Sequence, residues 1–222
     1  MSNNSLSHKV YEKLKDLIIK LELRPNEPLV ESRIAAELSV SRTPIREALI
    51  QLSRENLVTL IPGKGAFVIS VSPQNLEEVF LVREALEGIA AGIAACKIPD
   101  SELESLEIKF LEAEKCWGED SIGHTVDEIH QIIIKYGGNT LIEEILNNLA
   151  GQIKLFQNYA LEIRGRDKLS YQEHKEIYIA LKSHKSEMAE KAMRKHIKST
   201  KKSLLSSWIV SGNGSIQESI KL

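Results

Sequence analysis

Long apolar runs are missing from this 222-residue sequence, and no stretch approaches the ~18 apolar residues of a membrane-spanning helix. The first residues, Met-Ser-Asn-Asn-Ser-Leu-Ser-His, also lack the basic-then-apolar layout of a secretory signal. We therefore expect a protein that works in the cytoplasm and has no membrane partner.

Cysteine is scarce as well, because the chain contains only Cys96 and Cys116. Their spacing offers no paired metal motif, and a lone disulfide would be a weak staple for a chain of this size. We interpret both cysteines as reduced residues that pack in the interior.

A strong net charge is absent too, since the formal charge is −2, which argues against a protein that binds nucleic acid over its whole surface. The charge is unevenly distributed, however. Residues 1–70 hold ten Lys and Arg against eight Asp and Glu, whereas the remainder holds nineteen against twenty-three. A slightly basic front and an acidic back predict two parts with different roles, within the one or two domains that this length allows.

Apolar residues at helical spacing dominate the front of the chain, and we predict helices at 7–23, 31–38 and 42–55. Ser41 or Thr43 is the expected cap of the third helix, and Pro44 suits its first turn, where a missing N–H does no harm. The face that we expect to be buried consists of Ile45, Ala48, Leu49 and Leu52.

Two β-rich runs follow, Leu57–Ile61 and Ala66–Ser70, separated by the turn Pro62–Gly65. They predict a small hairpin. Helix, helix, turn, helix and hairpin within about 70 residues are the arrangement of a winged helix-turn-helix.

Arg42 and Arg46 begin the third predicted helix, where a cation opposes the positive end of the helix dipole. They lie four residues apart, away from the apolar face. The arginine fork matches the edge of guanine, and a bidentate contact is worth about 1–3 kcal/mol of base discrimination. DNA would supply the missing negative partner, with Ser41 and Thr43 donating to phosphates. The alternative is a solvated basic helix face, but the neighbouring turn and hairpin favour DNA.

The stretch LVESRIAAELSVSRTPIREAL at 29–49, with ENLV at 55–58 and GKGAFV at 63–68, resembles the DNA-binding domain of GntR-type transcription regulators. The resemblance implies that Arg42, Arg46 and Gly63 contact operator DNA, and Lys64 belongs to the same wing tip. Many members have a further DNA-binding arginine where this chain has Ser32, so Arg33 next to it is a candidate for that role. Asn26 stands where glycine is usual, and asparagine tolerates the left-handed conformation.

The back of the chain has helical spacing and no strand pattern, and we predict helices at 73–97, 100–116, 121–136, 140–162, 169–183 and 186–208. The expected fold class is mainly α, with an N-terminal winged helix-turn-helix and a C-terminal all-α bundle. The predicted boundaries are 1–70 for the first domain, 71–75 for a linker, 76–210 for the bundle and 211–222 for a flexible tail.

His130, His174 and His196 lie on apolar faces of three predicted helices in the bundle. One such histidine is more often a hydrogen-bonded core residue than a ligand. Three on three helices of one bundle favour a divalent metal, because neutral imidazoles are common metal ligands. Asp127, one helical turn before His130, can supply an oxygen ligand.

The segment EEVFLVREALEGIA at 77–90, the DEIH motif at 127–130 and the two later histidine motifs resemble the FCD effector domain of the FadR branch. The resemblance implies that His130, His174 and His196 bind a metal and that Arg83 helps to bind a carboxylate effector. The usual aspartate position is occupied by Val126, so either Asp127 or a water or effector atom completes the site. Arg83 also has an alternative role as an ordinary surface or interface arginine.

These patterns predict a homodimeric, effector-responsive repressor that binds a palindromic DNA operator and senses a small organic acid, and that is not an enzyme. Zinc is the first choice of metal, with nickel, cobalt and manganese as alternatives. One competing hypothesis is a metal-dependent hydrolase with an appended DNA-binding domain, in which Glu128 and Glu173 supply the acid or base. Another is an effector domain without metal, whose histidines pack or bind the acid directly.

Overall fold

Two units of the chain separate by their internal contacts in the computed structural model, which describes residues 2–69, 72–115 and 128–210. The first unit extends to Ser72 and also takes in Asn147–Asn158. The second unit holds Pro73–Leu146 and the chain from Tyr159 onward. No sequence pattern predicted that a late segment joins the first unit.

The early part of the first unit, as described for residues 2–69, consists of helices and a small sheet in the order α1 (Ser2–Ile19), β1 (Pro28–Leu29), α2 (Glu31–Glu37), α3 (Arg42–Arg54), β2 (Val58–Ile61) and β3 (Gly65–Val68). The predicted hairpin is β2 and β3, which pair antiparallel with Val58 opposite Val68. A third strand corrects the prediction, because β1 pairs antiparallel with the other edge of β3. Pro28 suits that edge position, since it has no N–H to donate.

The turn between α2 and α3 is closed by a Schellman motif at Ser39. The N–H of Ser39 donates to Ala36 O, and the N–H of Val40 donates to Ala35 O. Positive φ angles of the same kind occur at Leu21 (62°), Ser39 (54°) and Asn56 (54°). Leu21 thereby ends α1 at Ile19, before the predicted end at Leu23. Asn26 also takes a positive φ, 63°, as expected where glycine is usual.

The core of the first unit lies between α1 and α3, and its fully or nearly buried side chains include Val10, Leu14, Ile18, Ile45, Ala48, Leu49 and Leu52. The predicted buried face of α3 is confirmed. Each large apolar side chain buried in this way contributes about 1.5–3 kcal/mol to folding.

The late segment of the first unit packs on the end of this core. A Cβ on Gly151 would lie 2.8 Å from Leu57 Cδ1, so the glycine allows the segment to approach closely. Asn158 Nδ2 donates a hydrogen bond of 2.7 Å to Ile19 O at the end of α1.

Every described element after β3 is a helix, in the order α4 (Pro73–Ala95), α5 (Asp100–Lys115), α6 (Glu128–Gly137), α7 (Thr140–Leu161), α8 (Arg166–Lys182) and α9 (Ser186–Val210). Residues 70–71, the first part (121–127) of the helix predicted at 121–136 and the predicted tail at 211–222 lie outside the described residues. The predicted linker also overlaps the first turn of α4. Helix α8 begins three residues before its predicted start, which moves Arg166 from a loop into a helix.

Helices α4 and α6 approach each other closely at small residues. A Cβ on Gly137 would lie only 3.1 Å from the Cβ of Ala90. This close packing holds the inner face of α6, which carries His130, against the polar positions Arg83 and Glu87 of α4.

The structure bears on two expectations from the composition, the lack of membrane-spanning helices and the burial of the cysteines. None of the described helices combines the length and apolarity needed to cross a bilayer. Cys96 is free but exposed, just after the end of α4, so the prediction that it packs in the interior is wrong. Cys116 lies outside the described residues.

Candidate functional site

The start of α3 presents several of the predicted DNA-binding residues to solvent. Ser41, Arg42 and Thr43 are all exposed, whereas Pro44 is buried beneath them. Ser41 occupies the N-cap position, one of the two positions predicted for the cap, although its side chain makes no capping hydrogen bond. The first-turn N–H groups of α3 can therefore be satisfied by an incoming phosphate.

Arg46 meets a carboxylate of the protein itself. Its Nε donates to both oxygens of Glu31, at 2.7 and 3.0 Å. Arg33 Nε donates to one oxygen of Glu37, at 2.8 Å along α2. The arginine side chains are 63% and 74% exposed, so solvent screens both ion pairs and each arginine can exchange its partner for a phosphate or base contact.

The tip of the wing, Pro62–Gly65, is shaped by two glycines with positive φ, +74° at Gly63 and +101° at Gly65. Lys64 between them is exposed. An open groove of about 410 Å³ runs between α3 and the wing and is lined by Glu31, Arg46, Leu49, Ile50, Leu60, Ile61, Pro62, Gly63, Gly65 and Ala66. Arg46 and Gly63, predicted separately, therefore line one surface.

In the second unit, three buried histidines converge from three helices, His130 on α6, His174 on α8 and His196 on α9. One ligand atom from each lies within 4.8 Å of the others. His130 Nε2 and His174 Nε2 are 3.1 Å apart. The predicted cluster is thus brought together, whereas Asp127 lies outside the described residues.

Two buried hydrogen-bonded series, each of an arginine, a glutamate and a histidine, support the cluster. Glu87 on α4 contacts His130 Nδ1 at 2.5 Å through one oxygen and accepts from Arg83 Nε at 2.6 Å through the other. On the opposite side, a single oxygen of Glu173 lies 2.8 Å from His196 Nδ1 and 2.7 Å from Arg166 Nη2. Thr200 Oγ1 also accepts a hydrogen bond from Arg166 Nη2.

The charge states of these groups suit metal ligation. Burial lowers the pKa of His196 well below its usual value, and the nearby His130 and Arg166 lower it further. The pKa of Glu87 is below its usual value although burial alone would raise it, because Arg83 and His130 stabilise the carboxylate. A neutral imidazole held at Nδ1 by a carboxylate presents the lone pair of Nε2 to a metal.

The distance between His130 and His174 also fits a shared divalent cation. Two nitrogens each about 2.0–2.1 Å from a shared ion lie about 3.0 Å apart at a right angle and about 3.4 Å apart at the tetrahedral angle. The separation of 3.1 Å between the Nε2 atoms of His130 and His174 falls between these values. His130, His174 and His196 could therefore hold a metal.

Sequence reasoning named Arg83 as a candidate for this site and missed Glu87 and Arg166. Arg83 is 1% exposed, so its alternative role as a surface arginine is wrong. Glu87 and Arg166 were overlooked because charged residues on helices are usually solvated. One available signal was the spacing of Arg83 and Glu87, which are four residues apart on an otherwise apolar face of α4.

The acids required by the hydrolase hypothesis are placed unfavourably for catalysis. Glu128 is exposed and forms an ion pair with Lys109. Glu173 is buried, and the oxygen that faces the cluster is already engaged by His196 and Arg166. Neither carboxylate is placed as a general base beside an open metal position.

Comparison with known proteins identifies the family. Residues 6–68 match the family model for bacterial regulatory proteins of the gntR family, and residues 78–199 match that for the FCD domain. The chain belongs to the GntR family. As a GntR regulator with an FCD domain it is a DNA-binding transcription regulator, a class of protein that is not normally enzymatic.

Two curated relatives agree with this GntR assignment. The chain is 24% identical over 203 residues to the HTH-type transcriptional repressor RspR of Escherichia coli, covering 90% of this chain and 89% of the relative. It is 27% identical over 184 residues to the Nta operon transcriptional regulator of Aminobacter aminovorans, covering 82% and 86%.

Two solved structures share the fold. A GntR transcriptional regulator from Rhodococcus sp. RHA1 has a TM-score of 0.73 at 21% identity, covering 91% of this chain and 99% of that one. Escherichia coli McbR/YncC has a TM-score of 0.67 at 21% identity, covering 87% and 94%. The predicted fold class, mainly α with an N-terminal winged helix-turn-helix, is confirmed.

Proposed function

We propose that this GntR regulator is a cytoplasmic homodimeric repressor that binds a palindromic operator and responds to a small organic acid held beside a divalent metal. The observation that carries the proposal is the pairing of two features in one chain. An exposed arginine-bearing helix start lies in the first unit, and a buried histidine cluster with two arginines lies in the second.

DNA recognition is assigned to the start of α3 and to the wing. Arg42 and Arg46 read bases or contact phosphates, Ser41 and Thr43 donate to phosphates, and Gly63 and Lys64 follow the backbone. Arg33 contributes charge from α2. RspR is named a repressor, which supports the same sign of regulation here.

A homodimer follows from the geometry of palindromic sites, which are read by two recognition helices related by a twofold axis. Helix α4 offers a surface for a second copy, since Leu81 is 64% exposed and Ile89, two turns later on the same side, is 41% exposed. Apolar side chains in such a row favour burial against a partner.

In the FCD bundle, His130, His174 and His196 would hold the ion, with zinc as our first choice and nickel, cobalt or manganese as alternatives. Asp127, a water or the effector completes the ligand set. The bound ion would supply a Lewis-acid position for a carboxylate oxygen, and Arg83 would supply a hydrogen-bonded counter-charge. An effector can regulate DNA binding only if it binds the competent and incompetent arrangements with different affinity.

The decisive experiment is selection of operators from a random duplex library, followed by fluorescence anisotropy of the selected DNA. We expect a palindromic motif, a steep loss of affinity with rising salt, and a loss of about tenfold or more for Arg46→Ala. Arg54→Ala removes an exposed arginine from the other end of α3 and serves as the matched control. Equal effects of the two substitutions, or a selected motif without symmetry, would contradict the proposal.

A further inference from the structure

Arg166 is a buried cation that the protein satisfies only in part. It is 3% exposed at the start of α8, and the two hydrogens of Nη2 serve Glu173 and Thr200. Within the described part of the chain, neither Nε nor Nη1 has a hydrogen-bond partner. Three N–H hydrogens of the guanidinium are therefore left without an acceptor among the described residues.

Such an arrangement is unfavourable without a ligand. Buried polar groups nearly always have partners, and a charged donor left without an acceptor is more costly than a neutral one. An arginine that binds a carboxylate or a phosphate uses these same N–H groups. The unmet hydrogens of Arg166 point to an acidic group of a ligand.

The position of Arg166 places that group beside the histidine cluster. One oxygen of Glu173 joins Arg166 Nη2 to His196 Nδ1, at 2.7 and 2.8 Å. Arg83 reaches the same cluster through Glu87 and His130. Two arginines therefore flank the site on different helices.

Charge balance gives the number of acidic groups that the ligand should carry. Arg83 and Arg166 are offset by Glu87 and Glu173, and metal-binding histidines are neutral. When a water or the effector, and not Asp127, completes the ligand set, a divalent ion would then leave an excess of two positive charges in a buried site. Burying uncompensated charge is strongly unfavourable. A ligand with two negative charges would cancel the excess, whereas a monocarboxylate would leave half of it.

We propose that Arg166 is a second anion-binding residue of the effector site and that the effector is a small dicarboxylate. One carboxylate lies at the metal and Arg83, and the other is bound by Nε and Nη1 of Arg166. This inference rests on the proposed acid-sensing function and adds the class of acid.

The test is isothermal titration calorimetry of the metal-loaded full chain with acids of matched length. The probes are malonate, succinate and glutarate against propionate, butyrate and pentanoate. We expect the best dicarboxylate to bind wild type at least about tenfold more tightly than its matched monocarboxylate, because charge-assisted hydrogen bonds are strong. Arg166→Met should remove that preference and leave monocarboxylate affinity within about twofold.

Two further variants complete the design. Arg164→Met removes an exposed arginine two residues earlier and should keep the preference for dicarboxylates. Arg166→Lys keeps the charge with fewer directed donors, so it should fold and show a reduced preference. Metal content and thermal unfolding of each variant establish that the cluster is intact. If Arg166→Met does not fold, the acid preference of Arg166→Lys tests the role of Arg166.

The outcomes separate the inference from the function on which it rests. Equal losses for both classes of acid in Arg166→Met would assign Arg166 to positioning His196 and overturn the inference. Wild type that binds monocarboxylates as tightly as dicarboxylates would also overturn it, while acid sensing stands. Wild type that binds no acid, although it binds metal and operator, would reject the acid-sensing function as well.

Discussion

Glu31, the first residue of α2, holds Arg46 of α3 through both of its carboxylate oxygens, at 2.7 and 3.0 Å from Nε. The carboxylate lines the same groove as the arginine, on the surface that we assign to DNA. An acid at this position has two opposing effects, because it orients Arg46 and also repels phosphates.

Glu31→Gln should therefore change binding and discrimination in opposite directions. We expect affinity for non-operator DNA to rise about threefold to tenfold, since one repulsive charge is removed. The ratio of operator to non-operator affinity should fall, because Arg46 loses its orientation. Anisotropy with both duplexes measures the two effects, and Glu12→Gln, an exposed acid on α1, is the control. An unchanged ratio would show that Glu31 does not orient Arg46.

The wing tip should depend on glycine for backbone reasons. No atom lies within 4 Å of a Cβ built on Gly63, but its φ is +74°. Gly63→Val should lower the free energy of unfolding by about 1–2 kcal/mol and weaken operator binding, whereas Gly63→Asn should cost less. Denaturant unfolding and anisotropy test this. Equal stability of the valine and asparagine variants would contradict a conformational cause.

Removal of metal should destabilise the FCD bundle selectively. Ligands that bind only the folded state raise the midpoint of unfolding, and the loss of one lowers it. We expect a chelator to lower the midpoint of the bundle transition and added zinc to restore it. His174→Ala should be insensitive to both. A chelator effect of the same size in His174→Ala would place the metal elsewhere.

Glu87 should control metal affinity without touching the ion. Replacing a carboxylate that holds a ligating histidine typically costs about 10–100-fold in metal affinity. We expect a loss of this size for Glu87→Gln, measured by competition with a chromophoric chelator. Glu77→Gln alters an exposed acid on the same helix and should bind metal like wild type. Wild-type affinity in Glu87→Gln would remove Glu87 from the proposed centre.

The exposed apolar row on α4 should be a dimer contact. Leu81→Asp with Ile89→Asp should convert the protein to a monomer in sedimentation experiments and weaken operator binding, since bivalent contact is lost. Ile179→Asp, a 51% exposed position on α8, is the matched control. A dimer that survives the double substitution would move the interface to another surface.

Most helices could be predicted from the sequence because their buried faces repeat over many residues. The apolar face of α3, with Ile45 and Leu52 fully buried, is an example. Strand β1 could not be predicted in this way, because two residues are too few to show alternation. The sequence also could not predict that Asn147–Asn158 joins the first unit, because this depends on tertiary contacts such as that between Gly151 and Leu57.

The histidine cluster was predictable because the three histidines interrupt apolar faces at positions where solvation is excluded. Glu87 and Arg166, which support it, were not, because a buried ion pair and a surface ion pair look alike in sequence. Arg166 shows the difficulty most clearly. It stands beside the glycine Gly165, which suggested a loop, yet it begins α8 and is buried.

In the wing tip, the backbone of the glycines and the side chain of the lysine have different roles. Gly63 and Gly65 fix the path of the turn, while the exposed Lys64 between them is free of the fold's requirements. Substitutions at Lys64 can therefore accumulate over generations without endangering the folded protein. A lineage of such regulators could tune how tightly it holds DNA through this one codon, long before the helix that reads the bases had to change.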